Sequence, residues 1–250
     1  MEVHTHSHTP RKKWTHYFWE FLMLFLAVFC GFLAENQREH LVENRRELKY
    51  AASPYEDLKK DTAALSADIP FWNTILLSID TIRQEVEKPM GMRNAFLLYR
   101  NAALMRGYNN FEYHDRTIEQ LKNGGNFRLI RNSLLADSII NYDARIKSEL
   151  RDQEVQSNTI YQTINFLQDK FLNSKYYLDI LKKRNVPDSV LNSDAGVFKI
   201  AAANEADLFQ YANHLQYYYT MSHFRLNTSR ELLRKAINLI EMIKKEYHLK

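Results

Sequence analysis

A run of apolar and aromatic residues from Trp14 to Ala34 constrains this chain more than any other feature, because so much contiguous apolar surface has to be kept from water. Its length and its one carboxylate, Glu20, decide how. From Phe21 to Ala34 there are 14 uncharged residues, about 21 Å of helix at about 1.5 Å per residue, which is short of a hydrocarbon core of about 30 Å. Starting at Trp14 gives 21 residues and about 31 Å, so a span places Glu20 inside or at the edge of the hydrocarbon. Trp14, Tyr17 and Trp19 form an aromatic belt at that end, suited to the headgroup region.

A cleaved signal peptide competes with this reading, since Arg11, Lys12 and Lys13 resemble a basic leader and Phe21 to Phe29 an apolar core. Cleavage after Ala34 puts Phe32 three residues upstream, cleavage after Gly31 puts Phe29 there, and Phe29 directly before Cys30 is too large for a lipoprotein site. The expectation is an uncleaved anchor. The tail bases favour a cytoplasmic N-terminus, and although Arg38, Arg45, Arg46 and Lys49 lie beyond the span, they precede a long domain of the kind that translocates regardless of charge. The sequence thus predicts a single-pass protein of a bacterial inner membrane with a periplasmic C-terminal domain.

Beyond the span, only 6 Gly and 5 Pro occur in the 250 residues, which points to an all-helical chain. The single cysteine, Cys30, is inside the span, so helix packing has to stabilise the rest without a disulfide. The net charge of +4 rests largely on the tail, and no basic stripe with interleaved aromatics appears, so no nucleic-acid partner is expected.

Glu35, Glu39, Glu43 and Glu47 repeat every fourth residue, with Arg38 and Arg46 placed to relieve the repulsion, which reads as a charged stalk. Leu41 and Leu48 continue a sevenfold spacing from Ala34, but Arg38 and Arg45 interrupt any sustained coiled coil. Ser53-Pro54-Tyr55-Glu56 is a capping box, predicting a helix that restarts at Pro54 and kinks or breaks at Pro70. Leu58, Leu65, Trp72, Ile75, Ile79, Ile82 and Val86 supply its apolar stripe, and Ala95 to Met105 a shorter helix closed by Gly107. Gly124 and Gly125 predict a left-handed stop before a new start near Asn132 or Ser133. Two further stripes follow, Leu135, Ile139, Tyr142, Ile146 and Leu150, then Ile160, Ile164, Leu167, Phe171 and Leu178. Val186 to Gly196 marks a loop, and Leu208, Tyr211, Leu215, Tyr218, Phe224, Leu232, Leu233, Ile237, Ile240 and Ile243 predict a final helix. The expected fold is all-α, an N-terminal transmembrane helix followed by an elongated antiparallel helical bundle. The expected divisions are a tail over 1–13, a span over 14–34, a stalk over 35–52 and a bundle over 53–250.

The span running into a polar Asn/Glu/Arg helix, together with the Gly-Asn-apolar-Arg-Leu-Ile segment from Gly125 to Ile130, resembles a family of bacterial single-span membrane proteins of unknown function. The His-rich tail departs from that pattern, as does Gly124 where serine is commoner. The resemblance implies topology and helical class and assigns no catalytic residue.

Glu20 shares a helix face with Ala27, Gly31 and Ala34, a small-residue surface on which another helix can approach closely, and His16 stands one turn away as a partner. Packing of this face against another span competes with Glu20 snorkelling to nearby headgroups and with a role in an ion or proton path. His4, His6 and His8 alternate along the tail and are weak metal candidates, lacking a structured further ligand. Glu112, His114 and Asp115 crowd one segment, where acid/base chemistry competes with helix capping. Tyr217, Tyr218 and Tyr219 face different ways on a helix, some toward a core and some toward a contact surface. No phosphate-cradling glycine loop, zinc-protease signature or serine elbow is present in the sequence, so no catalytic residue and no cofactor is expected. The function expected is a membrane-anchored scaffold or accessory subunit, in a homo-oligomer or with other membrane-protein subunits. The alternatives are a ligand-binding helical sensor of unknown ligand, or an ion-coupled subunit using Glu20.

Overall fold

A computed structural model of the chain describes residues 13–107, 111–183, 198–200 and 205–249, which are mostly helical with no strand among them. The chain divides after Tyr50 into two compact units. Helix α1 runs from Trp14 to Glu87 and contributes to both.

In the first unit, one helix is long and apolar enough to cross a membrane, and none of its apolar stretch is buried by the protein itself. Phe21 stacks on Phe25 at 6.3 Å between ring centroids and Phe25 on Phe29 at 5.9 Å, forming a ladder along the helix. Arg38 donates from Nε to Glu35 at 2.8 Å, the relief of like-charge repulsion that their spacing suggests.

In the second unit, buried positions on α1 alternate at spacings of four and three residues through Leu58, Asp61, Leu65, Asp68, Trp72, Ile75, Ile79, Ile82 and Val86. That continuous stripe explains why the expected restart at Pro54 and break at Pro70 do not occur: both prolines lie inside α1. A proline removes one backbone donor and strains the preceding turn, at about 3 kcal/mol, but packing of the buried seam from Leu58 to Val86 offsets this. Pro70 and Ser66 are both exposed, so the turn that lacks its helical bond lies on the surface of the bundle.

The chain then descends antiparallel to α1 in two pieces, α2 (Ala95–Met105) and α3 (Arg116–Asn123). The pairing descends with it: the Asn94 amide donates to Glu85 at 2.8 Å, the His114 amide to Asp61 at 3.0 Å, and the Thr117 hydroxyl to Asp57. After α3 the chain turns at Gly125, whose φ of 61° is left-handed, and a short 3₁₀ turn over Asn126–Leu129 delivers Ile130 into the core. The Gly125 to Ile130 segment is thus a structural turn. Helix α4 (Ser133–Gln168) rises, capped by Asn132, whose side chain accepts from the Leu135 amide. After α5 (Ser174–Lys182), α6 (Glu205–Tyr247) descends along α4, with Gln168 bonded to Tyr211 at 2.9 Å at one end and Asn132 to Glu246 at 2.8 Å at the other. The result is an antiparallel, up-down-up-down helical bundle whose second limb is broken. Arg93, nearly buried, closes one end by gripping both carboxylate oxygens of Glu205 at 2.9 and 3.0 Å.

The main core joins Trp72, Ile75, Ile79 and Ile82 to Leu98, Met105, Ile164, Leu167, Phe171, Tyr211 and Leu215. A smaller one gathers Phe96, Tyr99, Ile180 and Phe198 between α2 and α5. Three residues expected in the apolar stripes lie outside: Leu178 is 53 % exposed, Phe224 50 % and Ile237 46 %. The inward register of α6 runs instead through Tyr218, Ser222, Arg225, Ser229, Leu232, Ala236, Leu239 and Ile243. Polar residues hold the middle core positions, so an apolar reading slips onto the neighbouring Phe224. The loop expected from Val186 to Gly196 lies outside the described residues.

Candidate functional site

Two polar clusters interrupt the apolar seam, and both are built on carboxylates at core positions of α1. Asp61 is 1 % exposed. Its Oδ1 accepts the His114 amide at 3.0 Å and faces His114 Nδ1 at 3.1 Å, while Oδ2 accepts from the Tyr142 hydroxyl at 3.3 Å. Beside it, Asp143 of α4 is fully buried. It accepts from the Tyr113 hydroxyl at 2.8 Å, from Lys122 of α3, and from Lys147 one turn along at 3.1 Å. Lys147 also reaches Glu119, and Asp115 at 3.5 Å.

The environments push the two carboxyls apart. Burial raises Asp61 to about 6, against hydrogen bonds from His114 and Tyr142 that favour its charged form. Burial also acts on Asp143, but donation from Lys122, Tyr113 and Lys147 outweighs it and holds that group below the usual carboxylate range. Burial likewise raises the Tyr113 and Tyr142 hydroxyls, with the adjacent carboxylates adding to it. Both oxygens of each carboxylate are engaged by protein donors. A general base needs a proton to take from a substrate within reach, whereas this cluster clasps α3 and the segment before it onto α1 and α4.

The second cluster lies farther up the seam. Asp68 Oδ2 accepts from Trp72 Nε1 at 2.9 Å and from the Ser229 hydroxyl at 2.5 Å. The Arg225 guanidinium sits 5.1 Å from the centroid of the Trp72 ring, a buried cation over an aromatic face. Burial lowers the pKa of Arg225 against the pull of Glu149, and burial raises that of Glu149 against Arg145 and Arg225. A cavity of about 20 Å³ bordered by Asp68, Trp72, Glu149 and Arg225 has room for one water molecule.

Of the residues singled out in the sequence, Glu20 pairs with His16 at 3.0 Å, both about half exposed. Ala27, Gly31 and Ala34 are exposed on the same helix, and a Cβ built at Gly31 would meet nothing within 4 Å. His4, His6 and His8 lie outside the described residues, among which no group of three or more His, Cys, Asp or Glu is placed to hold a metal. His114 and Asp115 join the first cluster, whereas Glu112 is exposed. Tyr218 is buried, its hydroxyl 3.3 Å from that of Tyr161, while Tyr217 is 72 % exposed and Tyr219 stacks on His223. Sequence reasoning missed Asp61, Asp68, Asp143, Lys122, Lys147 and Arg225. The signal for the first two was available, because Asp61 and Asp68 divide the seven-residue intervals between Leu58, Leu65 and Trp72 into steps of three and four.

No protein family, curated protein sequence or solved structure matches this chain.

Proposed function

We propose that the protein is a single-pass, membrane-anchored scaffold or accessory subunit of an envelope complex that works by protein–protein contact. One observation carries this reading: the polar core is engaged within the bundle, while large apolar side chains are left on its surface. On α6, Phe209, Tyr217 and Phe224 are 49, 72 and 50 % exposed, and spacings of eight and seven residues put them on one side of the helix. Apolar side chains grouped in this way mark contact surfaces. The test is the native mass of the full-length protein extracted gently from its own membrane, with co-purifying chains identified. A stoichiometric partner or a defined homo-oligomer supports a contact role, and a monomer without partners refutes it.

The tail bases Arg11, Lys12 and Lys13 support an inner-membrane anchor with the bundle in the periplasm. Reporter fusions after residue 13 and at the C-terminus should show opposite accessibilities. Glu20, Ala27, Gly31 and Ala34 are the face proposed to meet another span, opposite the phenyl ladder of Phe21, Phe25 and Phe29. On this reading Glu20→Gln weakens association and lowers the cross-linked oligomer yield at least threefold; an unchanged yield removes Glu20 from the interface.

A further inference from the structure

The limb between α2 and α4 is fastened differently from the rest of the bundle. Helix α2 is fixed by apolar packing and buries Phe96, Leu98, Tyr99, Ala102 and Met105. Helix α3 has eight residues, too few to persist as a helix alone in water. Its apolar anchorage is Ile118 and Leu121, and no side chain caps its first turn. Residues 111–115 before it form no regular secondary structure, and after it Gly125 takes a φ of 61°.

What holds this limb is a set of contacts to charged side chains. On α1, Asp57 accepts from the Thr117 hydroxyl, while Asp61 accepts from the His114 amide and faces its ring. On α4, Asp143 accepts from Tyr113 and Lys122, and Lys147 reaches Asp115 and Glu119. Bonds of this kind are exchanged for bonds to water when a segment lifts away, whereas the apolar packing of α2 has no such substitute. A segment with so little buried apolar area opens at a lower free energy than the whole fold.

Opening brings water to Asp61, whose carboxyl is raised from 3.8 to about 6 by burial in the docked state. The docked limb thus holds this proton more tightly than the open one, so docking is strongest below about pH 4 and weakens as pH rises through 6. A proton on the facing His114 ring acts in the same direction. Around this pair, Asp143 is held below the usual carboxylate range and Lys147 is raised, so both keep their charge, and the raised hydroxyls of Tyr113 and Tyr142 stay neutral.

We propose that residues 111–123 form a strap that docks firmly on α1 and α4 in acid and opens as a unit more readily as the medium turns neutral, with Asp61 and His114 as its latch. Opening uncovers the side of α1 and α4 that carries Asp61, Tyr142 and Asp143. The strap is independent of the contact role proposed above, and either can fail without the other.

The test is native-state hydrogen exchange of the full-length chain in detergent micelles, read by mass spectrometry and corrected for the intrinsic pH dependence of exchange. Protection in 116–123 should lie at least tenfold below that in 95–105 at both pH 5.0 and pH 7.5. Across that interval it should fall about tenfold, the factor that a carboxyl moving between 3.8 and about 6 imposes on the opening equilibrium. Urea up to 1 M should accelerate exchange less steeply in 116–123 than in 95–105, because opening the strap exposes less surface than unfolding the bundle. Asp61→Asn should keep the early opening of the strap and reduce its pH response to less than threefold. Equal protection and equal urea dependence in the two segments would show that the limb leaves only when the whole bundle unfolds, and would overturn the strap. Early opening whose pH response is flat or reversed in the wild type, or unchanged in Asp61→Asn, would overturn the latch and with it the proposal.

Discussion

Replacing Asp61 with asparagine should change how the stability of the bundle depends on pH. The carboxyl of Asp61 is raised from the ordinary 3.8 to about 6 because burial disfavours its charge more than His114 and Tyr142 favour it. At about 1.4 kcal/mol per tenfold change in proton affinity, that gap corresponds to about 3 kcal/mol. The folded state holds this proton more tightly than the unfolded state. The stabilisation is therefore complete below pH 4, declines between pH 4 and 6, and is lost by pH 7, where a charged carboxylate stays buried. Asparagine is of the same shape, still accepts a hydrogen bond from the His114 amide, and does not titrate. Urea denaturation of the full-length chain in micelles, followed by circular dichroism from pH 4.5 to 7.5, isolates the effect as the difference between variant and wild type. That difference should move in favour of Asp61→Asn by about 2 kcal/mol over the range, most of the full 3. Repeating the comparison on a His114→Asn background separates the contribution of the imidazole that faces Asp61 at 3.1 Å. A difference that stays flat within about 0.5 kcal/mol, or that moves in favour of the wild type as pH rises, would refute burial as the dominant influence.

Four further substitutions test the fold. Gly125→Ala should cost about 1–2 kcal/mol, since φ is 61° and open space surrounds the position, leaving backbone conformation as the only source of strain. Gly124→Ala tests space rather than backbone conformation, because its φ is ordinary while a Cβ there would displace the Asn126 side chain and press on the Gln120 carbonyl at 3.0 Å; thermal melts of the pair should show a loss for each, compared directly. Ser222→Ala should stabilise by about 1 kcal/mol, raising Tm by roughly 2–4 °C, because the buried Ser222 hydroxyl has no hydrogen-bond partner among the described residues. Arg225→Ala should destabilise by about 3–5 kcal/mol in denaturant titrations, as it strips the cation from Trp72 and leaves the buried Asp68 and the partly buried Glu149 without it.

The comparison between sequence and structure turns on a few residues. Helical periodicity located α2 at Ala95–Met105 and the start of α4 near Asn132 or Ser133, because Gly107 and Asn132 are local punctuation that acts within one turn. Pro54 and the capping box at Ser53 are local signals of the same kind, yet α1 continues through them, since the seam from Leu58 to Val86 is anchored by three other limbs. On α6, local apolarity pointed to Phe224, whereas the fold turned Arg225 inward, where Trp72 and Glu149 receive it. His114 and Asp115 were visible as a crowded segment, but their partners Asp61 and Lys147 stand 53 and about 30 residues away.

By itself the sequence determined the apolar span, the all-helical class and the antiparallel order of limbs, because hydrophobic spacing, caps and left-handed glycine positions act through neighbours within a turn or two. Only the tertiary structure decided which polar residues lie in the core, and that both carboxylate oxygens of Asp61 and Asp143 find donors. Burying a charge is tolerated only where groups distant in sequence arrive to hydrogen-bond it, and no local pattern records that arrival.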